Sequence, residues 1–284
     1  MVRRVGGNAL SQLMPTLESS ITSSDSDAKQ GICIATRELI ESSSPVDVNQ
    51  FHDSFVHIIR DTLVDPNPAV REASALVFDV FQDSVGNSAV DEVIPQLLDM
   101  LDGSDSENAL SALQEIMATK ADVIFPILIP SLLTPPIKAR ALGALAQVAG
   151  SALFKRLSTI INSLVDAIIV GDENRSDLVE ALSGTLLSVN VDEGCHAVMQ
   201  QILALMRHED PKRVAVIYEV LPTFFLESTL DYSVYTHDLM VQFGSTRRTI
   251  SIIDWKARQG LVRVHFTKRS KLYLANLLAW VDVR

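Results

Sequence analysis

A repeated pattern of two apolar helices joined by a short Asp/Pro/Ser turn runs through most of this 284-residue sequence. The first helix of each pair recurs at intervals of about 33 to 41 residues, with starts near Leu10, Phe51, Val90, Ile124, Leu157 and Val198. A period in this range is typical of helical-hairpin solenoids, in which each hairpin buries its apolar face against its neighbours. The repeat therefore predicts an all-α chain that has no single central core.

The second repeat shows the pattern most clearly. Its first helix is predicted at roughly residues 48–64 from an apolar stripe at helical spacing, and the turn that follows holds Asp65 and Asn67, either of which can cap the next helix. Gly86 is predicted to end that second helix. On the second helix, residues 69–85, we expect a buried stripe made of Val70, Ala73, Leu76, Val77, Val80 and Phe81.

Prolines recur inside the predicted first helices, at Pro15, Pro95, Pro126 and Pro130. A bend at this place is common in HEAT repeats, and no Trp or Tyr stands at the positions that tetratricopeptide repeats require. We therefore predict an α-solenoid of about six HEAT repeats, with armadillo repeats as the alternative. The solenoid is expected to occupy residues 1–243, and a seventh first helix, residues 230–243, is predicted at its end.

From residue 244 the repeat pattern stops and the charge changes sign. The formal net charge of the whole chain is −11. Residues 1–244 hold 15 Lys/Arg and 33 Asp/Glu, whereas residues 245–284 hold 9 Lys/Arg against Asp254 and Asp282. The acidic body disfavours a surface built to hold phosphate backbones. We interpret residues 244–284 as an irregular basic tail, which is either a natural arm or domain edge or the product of a shifted reading frame.

Motifs of catalysis and cofactor binding are missing from the sequence. It has no phosphate-binding Gly-rich loop, no dinucleotide-binding glycine pattern and no nucleophile elbow. The six histidines are scattered and none has zinc-ligand spacing to a cysteine. We predict a protein that is not an enzyme and that has no cofactor, no metal site and no small-molecule substrate.

The two cysteines and the apolar runs indicate a cytoplasmic protein. Cys33 and Cys195 fall in distant repeats, so two unpaired thiols are expected, as is usual in a reducing compartment. The longest apolar run, residues 121–133, is too short to span a bilayer, and no apolar segment of a signal peptide follows Met1. We therefore expect no membrane partner.

Basic residues recur on the predicted second helices, which line the concave face of a HEAT stack. An intramolecular explanation is that Arg71 pairs with Asp65 of its own turn and that the other cations are solvated. The functional alternative is that Arg71 or Arg140 binds an acidic partner, since arginine binds carboxylates bidentately and is a frequent interface anchor. The candidate partner-binding residues are Lys29, Arg37, Arg71, Lys138, Arg140 and Arg213.

Several stretches resemble one family of HEAT-repeat proteins, the translational activators of general amino acid control. They are Arg4–Leu10, Leu13–Leu17, Asp91–Leu98 and Pro130–Ile137, the last continuing through Arg140–Gly143. The resemblance covers about residues 1–243 and is closest to the later repeats of the family. It implies a ribosome-associated scaffold that binds the protein kinase acting on the alpha subunit of translation initiation factor 2, with these repeats receiving the RWD domain of the kinase.

Other functions stay open at this point. A HEAT scaffold of another pathway, importin-like or tubulin-binding, is an alternative, although the acidic turns at residues 25–27 and 103–105 count against tubulin. Binding of ribosomal RNA through the basic tail, residues 247–271, is an alternative of a different class. It would give an RNA affinity that falls with salt.

Overall fold

The computed structural model describes residues 7–22, 25–171 and 174–246, and the regular structure of this part of the chain is entirely helical. The tail predicted from residue 244 lies outside the described residues except for the end of the last helix. The helices are α1 Gly7–Ile21, α2 Ser26–Ser42, α3 Pro45–Gln50, α4 His52–Leu63, α5 Pro68–Val85, α6 Asn87–Met100, α7 Ser106–Leu133, α8 Ala139–Val148, α9 Ser151–Val170, α10 Arg175–Leu187, α11 Asp192–Met206, α12 Pro211–Glu227 and α13 Thr236–Thr246. The all-α prediction is confirmed.

The turns between paired helices contain the caps that the sequence predicts. Asp25 caps α2, Asn67 caps α5 and Asp210 caps α12, each accepting a hydrogen bond from a backbone N–H in the first turn at 2.9 to 3.0 Å. These bonds satisfy N–H groups that have no partner inside the helix. At the other end of α5, Gly86 adopts φ +77°, a backbone region that favours glycine.

Within the first compact unit, which ends at Ser131, like helices pack on like helices. The first helices α1, α4 and α6 follow one another, and the second helix α2 packs along the second helix α5. The largest fully buried side chains of α4 and α5 are aromatic, with the rings of Phe55 and Phe81 5.8 Å apart. This arrangement is the hairpin stacking that defines the α-solenoid class.

The predicted buried stripe of α5 is only partly right. Val70, Val77 and Phe81 are buried, but Leu76 is 42% exposed, and Ala73 and Val80 are half-buried. The buried face is centred instead on Ser74, Ala75 and Phe78. A serine can lie at this centre because its hydroxyl donates to the carbonyl of Ile59 at 3.1 Å and hydrogen-bonds the Thr62 hydroxyl at 2.7 Å, so burial leaves no polar group unpaired.

Three predicted helix boundaries are wrong. The first helix of repeat two is not continuous over residues 48–64, because Phe51 has φ −110° and ψ 24° and separates α3 from α4. The last helix begins at Thr236 rather than at residue 230, after a turn of 3-10 helix. Proline inside a helix predicts a kink or a shortened end at Pro222, and the shortened end is not seen, since α12 continues to Glu227.

Helix α7 contains a break that divides two repeats. Lys120 has φ −140° and ψ 51°, so the helix before it belongs to repeat three and the helix after it to repeat four. The Lys120 ammonium lies 2.8 Å from Asp79 and 2.5 Å from Asp83 on α5. Burial alone would lower the pKa of Lys120, but its hydrogen bonds to these carboxylates raise that pKa overall.

By length and composition alone α7 passes as a membrane span, the one helix of the described chain that does. The non-helical Lys120 argues against that reading, because it lies in the middle of the segment and is paired with two carboxylates. A lipid-exposed span needs an unbroken ladder of backbone hydrogen bonds. The apolar side chains on both sides of the break, such as Leu113 and Phe125, are buried within the protein.

The second compact unit begins at Leu132 and repeats the same arrangement. The second helices α8, α10 and α12 pack in succession, and the first helix α9 packs on the first helix α11. Small residues allow α8 and α10 to approach each other closely. A Cβ atom added to Gly143 on α8 would lie 3.6 Å from the Cα of Ala181 on α10. The buried face of α8 includes Leu142 and Leu145, and that of α12 includes Val214, Ile217, Val220 and Leu221.

Two glycines of this unit provide a matched test of packing. A Cβ on Gly194 would lie 2.3 Å from Val189 and 2.7 Å from the Phe154 ring, whereas a Cβ on Gly184 meets nothing within 4 Å. We expect Gly194→Ala to lower the free energy of unfolding by about 1–3 kcal/mol through overpacking. Gly184→Ala should raise it by about 0.5–1 kcal/mol because alanine is the better helix former. Urea denaturation measures both, and equal effects of the two substitutions would contradict this packing.

Candidate partner-binding surface

The six basic residues selected from the sequence lie on second helices, and most lie in or next to the first turn. Lys29, Arg71, Arg140 and Arg213 fall within the first four residues of α2, α5, α8 and α12, and Lys138 immediately precedes α8. The positive end of the helix dipole disfavours a cation at this position. We therefore expect acceptor groups near these cations. The structure identifies the acceptors of Lys29, Arg71 and Arg213.

In the first unit, Lys29 and Arg71 converge on the turn that contains Asp65. The Lys29 ammonium lies 2.7 Å from the Asp65 carboxylate, whose side chain is only 2% exposed. The same carboxylate accepts the N–H of Asn67 at 2.9 Å. Arg71 donates to the backbone carbonyls of Asp65 and Pro66 at 2.8 and 3.1 Å. Arg71 thus binds the backbone carbonyl of Asp65. The carboxylate of Asp65 instead binds Lys29 and so joins repeat two to repeat one.

In the second unit, arginines also bridge successive repeats. Arg213 on α12 donates to the side chain of Asn162 at 3.0 Å and to the carboxylate of Asp166, both on α9. Arg175 on α10 forms a bidentate pair with Glu219 on α12, at 3.0 and 2.5 Å. The hydrogen bonds to Glu219 raise the pKa of Arg175. Such forked pairs fix geometry as well as charge.

Arg175 is absent from the residues selected from the sequence, although it occupies the same register as the others. It is the first residue of α10, just as Arg140 and Arg213 are the second and third residues of α8 and α12. The signal that could have found it is this position after a turn. The turn itself obscured it, because residues 171–174 carry neither a proline nor a clear cap.

The remaining residues differ in how accessible they are. Arg37 lies in the middle of α2 and pairs with Glu41 on the same helix at 2.9 Å, with both side chains about two-fifths exposed. Lys138 is half-buried. Of the six residues, Arg140, at the start of α8, is the one exposed to solvent. Arg140 thus offers its side chain to solvent, where a carboxylate of a partner can approach it.

The comparisons with known proteins agree with this architecture. The family model described as "Stalled ribosome sensor GCN1-like, HEAT repeats" matches residues 124–243. The protein "eIF-2-alpha kinase activator GCN1" of Saccharomyces cerevisiae is 59% identical over 244 residues, which are 83% of this chain and 9% of that protein. The chain belongs to the GCN1-like HEAT-repeat family.

Animal relatives of the GCN1-like family match over a longer part of the chain at lower identity. The proteins named "Stalled ribosome sensor GCN1" of Mus musculus and Homo sapiens are each 32% identical over 289 residues, covering 99% of this chain. This chain spans about a tenth of the length of these relatives, 11% in both animals. A designed armadillo repeat protein solved with the peptide (KR)4 covers 89% of this chain at 11% identity and a TM-score of 0.28, a likeness too low to use further.

The Asp65 contacts generate a stability prediction. Asp65→Ala leaves the Lys29 ammonium and the Asn67 N–H without their acceptor, so we expect the free energy of unfolding to fall by about 2–3 kcal/mol. The control is Glu41→Ala, which removes an exposed pair on a single helix and should change it by less than about 0.5 kcal/mol. Chemical denaturation of both variants checks this. A loss for Asp65→Ala no larger than that for Glu41→Ala would show that the bridge between repeats does not stabilise the stack.

Proposed function

We propose that this chain is a non-catalytic scaffold of the cytoplasm that docks the RWD domain of the protein kinase acting on the alpha subunit of translation initiation factor 2. The observation that carries the proposal is the 59% identity, over most of the chain, to a relative named as an activator of that kinase. Contact with the ribosome, which the names of the animal relatives indicate, is proposed for the larger assembly to which these repeats belong.

The fold supports docking because stacked second helices give a rigid surface on which side chains recur at regular intervals. The helices α8, α10 and α12 fall entirely within the residues that the GCN1-like family model matches. Each starts with an arginine in its first turn. Ordered helices hold such side chains in fixed positions, and a pre-organised surface loses little entropy when a folded domain binds.

Arg140 is the residue on which the docking proposal concentrates. It is exposed, and arginine at an interface can bind a carboxylate through two parallel hydrogen bonds. Lys138, half-buried directly before α8, is expected to contribute long-range attraction. Arg71, half-buried near the start of α5 in the first unit, is a separate candidate contact. The chemistry predicted for the partner is an acidic patch on the RWD domain.

The proposal predicts a charge-specific loss of binding. Arg140→Glu should weaken the affinity of the 284-residue chain for the purified RWD domain at least about tenfold, equivalent to about 1.4 kcal/mol. The matched control is Arg156→Glu, because Arg156 is an exposed arginine on a first helix, α9, in the same unit. It should change the affinity less than about twofold. Isothermal titration calorimetry measures both, with circular dichroism confirming that helicity is kept.

Two outcomes would count against the proposal. No measurable binding of the wild-type chain would refute RWD docking by these repeats. Equal losses of RWD-domain affinity in Arg140→Glu and Arg156→Glu would refute the placement of the binding surface on the second helices. They would indicate a general effect of net charge. A salt-dependent affinity for ribosomal RNA, lost when residues 245–284 are deleted, would favour the RNA-binding alternative instead.

A further inference from the structure

His52, at the start of α4, is held in one orientation by its surroundings. Its side chain is only 12% exposed, and the imidazole ring packs against Phe81 with the ring centroids 5.2 Å apart. Its Nε2 atom lies 3.3 Å from the hydroxyl of Ser88, the second residue of α6. The ring therefore spans the contact between the first helices of repeats two and three.

The hydroxyl of Ser88 lies within hydrogen-bond distance of both His52 Nε2 and the carbonyl of Val85, the latter at 3.2 Å. When the hydroxyl donates its single hydrogen to Val85, it accepts from His52, and Nε2 carries the ring hydrogen. In that tautomer the lone pair is on Nδ1.

Two carboxylates face this nitrogen. Nδ1 of His52 lies 3.7 Å from Oε2 of Glu92 on α6 and 3.9 Å from Oδ1 of Asp53 on α4. One ligand atom from each of the three residues lies within 4.8 Å of the other two. In this tautomer the Nδ1 lone pair and the two carboxylates offer three converging ligand atoms, and a cation between them would offset the repulsion of the two negative charges.

We propose that His52, Asp53 and Glu92 bind one divalent transition-metal ion, with Zn²⁺ as the ion that fits best. Bonds of about 2.1 Å from zinc to nitrogen and oxygen place tetrahedral ligand atoms roughly 3.4 Å apart. The two distances from His52 Nδ1 exceed this by a few tenths of an ångström, and the exposed Asp53 side chain can rotate to bring its oxygen within reach. An imidazole with carboxylates suits zinc, whereas Mg²⁺ and Ca²⁺ prefer sets made only of oxygen. The exposed Asp53 leaves the outer side of the ion open to water.

The Ser88 contact matches what metal-binding histidines require. Such residues usually donate their second ring N–H to a neighbouring acceptor, which fixes the tautomer and the direction of the ligating nitrogen. The ion would join α4 of repeat two to α6 of repeat three, because His52 and Glu92 come from different helices. It would thereby fix the register of two adjacent first helices, on elements separate from the proposed docking residues of the second unit.

The sequence does not reveal this set because its two main ligands are separated by one repeat period. His52 is the first residue of α4, and Glu92 is the sixth residue of α6, the next first helix. Searches for zinc motifs look for short spacings and for cysteine partners, and neither is present. Only the stacking of α4 on α6 brings the two residues together.

The test is titration of the metal-free 284-residue chain with Zn²⁺ by isothermal titration calorimetry at neutral pH. We expect one binding event that Glu92→Gln and His52→Gln each weaken at least about tenfold, and Ser88→Ala by a smaller factor. The matched control is His57→Gln, also on α4. His57 has a carboxylate neighbour, Asp61, at 3.2 Å, and His57 is half exposed. This control should keep the wild-type affinity, and Zn²⁺ should raise the unfolding temperature of the wild type but not of Glu92→Gln.

Glu92 is about half exposed, so its replacement by glutamine keeps the fold and tests the site directly. Binding that is as weak in the wild type as in Glu92→Gln would be adventitious and would overturn the proposal. The same holds if His57→Gln removes as much affinity as His52→Gln. Absence of any Zn²⁺ binding would also overturn it.

Discussion

The burial of one helical hairpin against the next is the interaction on which this structure depends. A single hairpin of the chain cannot cover its own apolar face, so α2 packs along α5 in the first unit and α8 along α10 in the second. Ion pairs and hydrogen bonds between successive hairpins then fix their relative register, which apolar contact alone does not specify. The Lys29–Asp65 and Arg175–Glu219 pairs join successive repeats at their helix ends. Stacking therefore sets where the charged side chains stand, and with them the surface offered to a partner.

The helix pairs could be predicted from the sequence because each carries its own local signals. The cap Asn67 and the terminating Gly86 act within a few residues, and both are present as expected; Asp25 and Asp210 cap their helices in the same way. Features decided by neighbouring repeats were harder to predict. The buried face of α5 is centred on Ser74 because its hydroxyl donates to the Ile59 carbonyl and hydrogen-bonds the Thr62 hydroxyl of α4, which no pattern in α5 itself indicates.

The same distinction holds for the candidate sites. The sequence locates Arg71 and its partner residue Asp65, although the acceptor is the backbone carbonyl of Asp65. It locates Arg213 but not its partners, Asn162 and Asp166. It misses Arg175, whose register is visible only once α10 has a defined start. It also misses His52 and Glu92, which meet only because consecutive first helices stack. Contacts made across one repeat period are thus the part that local reasoning cannot supply.

Membership of the GCN1-like family and the repeated arginines at the starts of second helices lead to one central claim, that a folded domain binds across those helices. Hydrogen–deuterium exchange of the 284-residue chain, with and without the RWD domain, tests it most directly. We predict added protection in the first turns of α8, α10 and α12, together with unchanged exchange in the first helices α9 and α11. Protection confined to the first helices, or none at all, would contradict the claim.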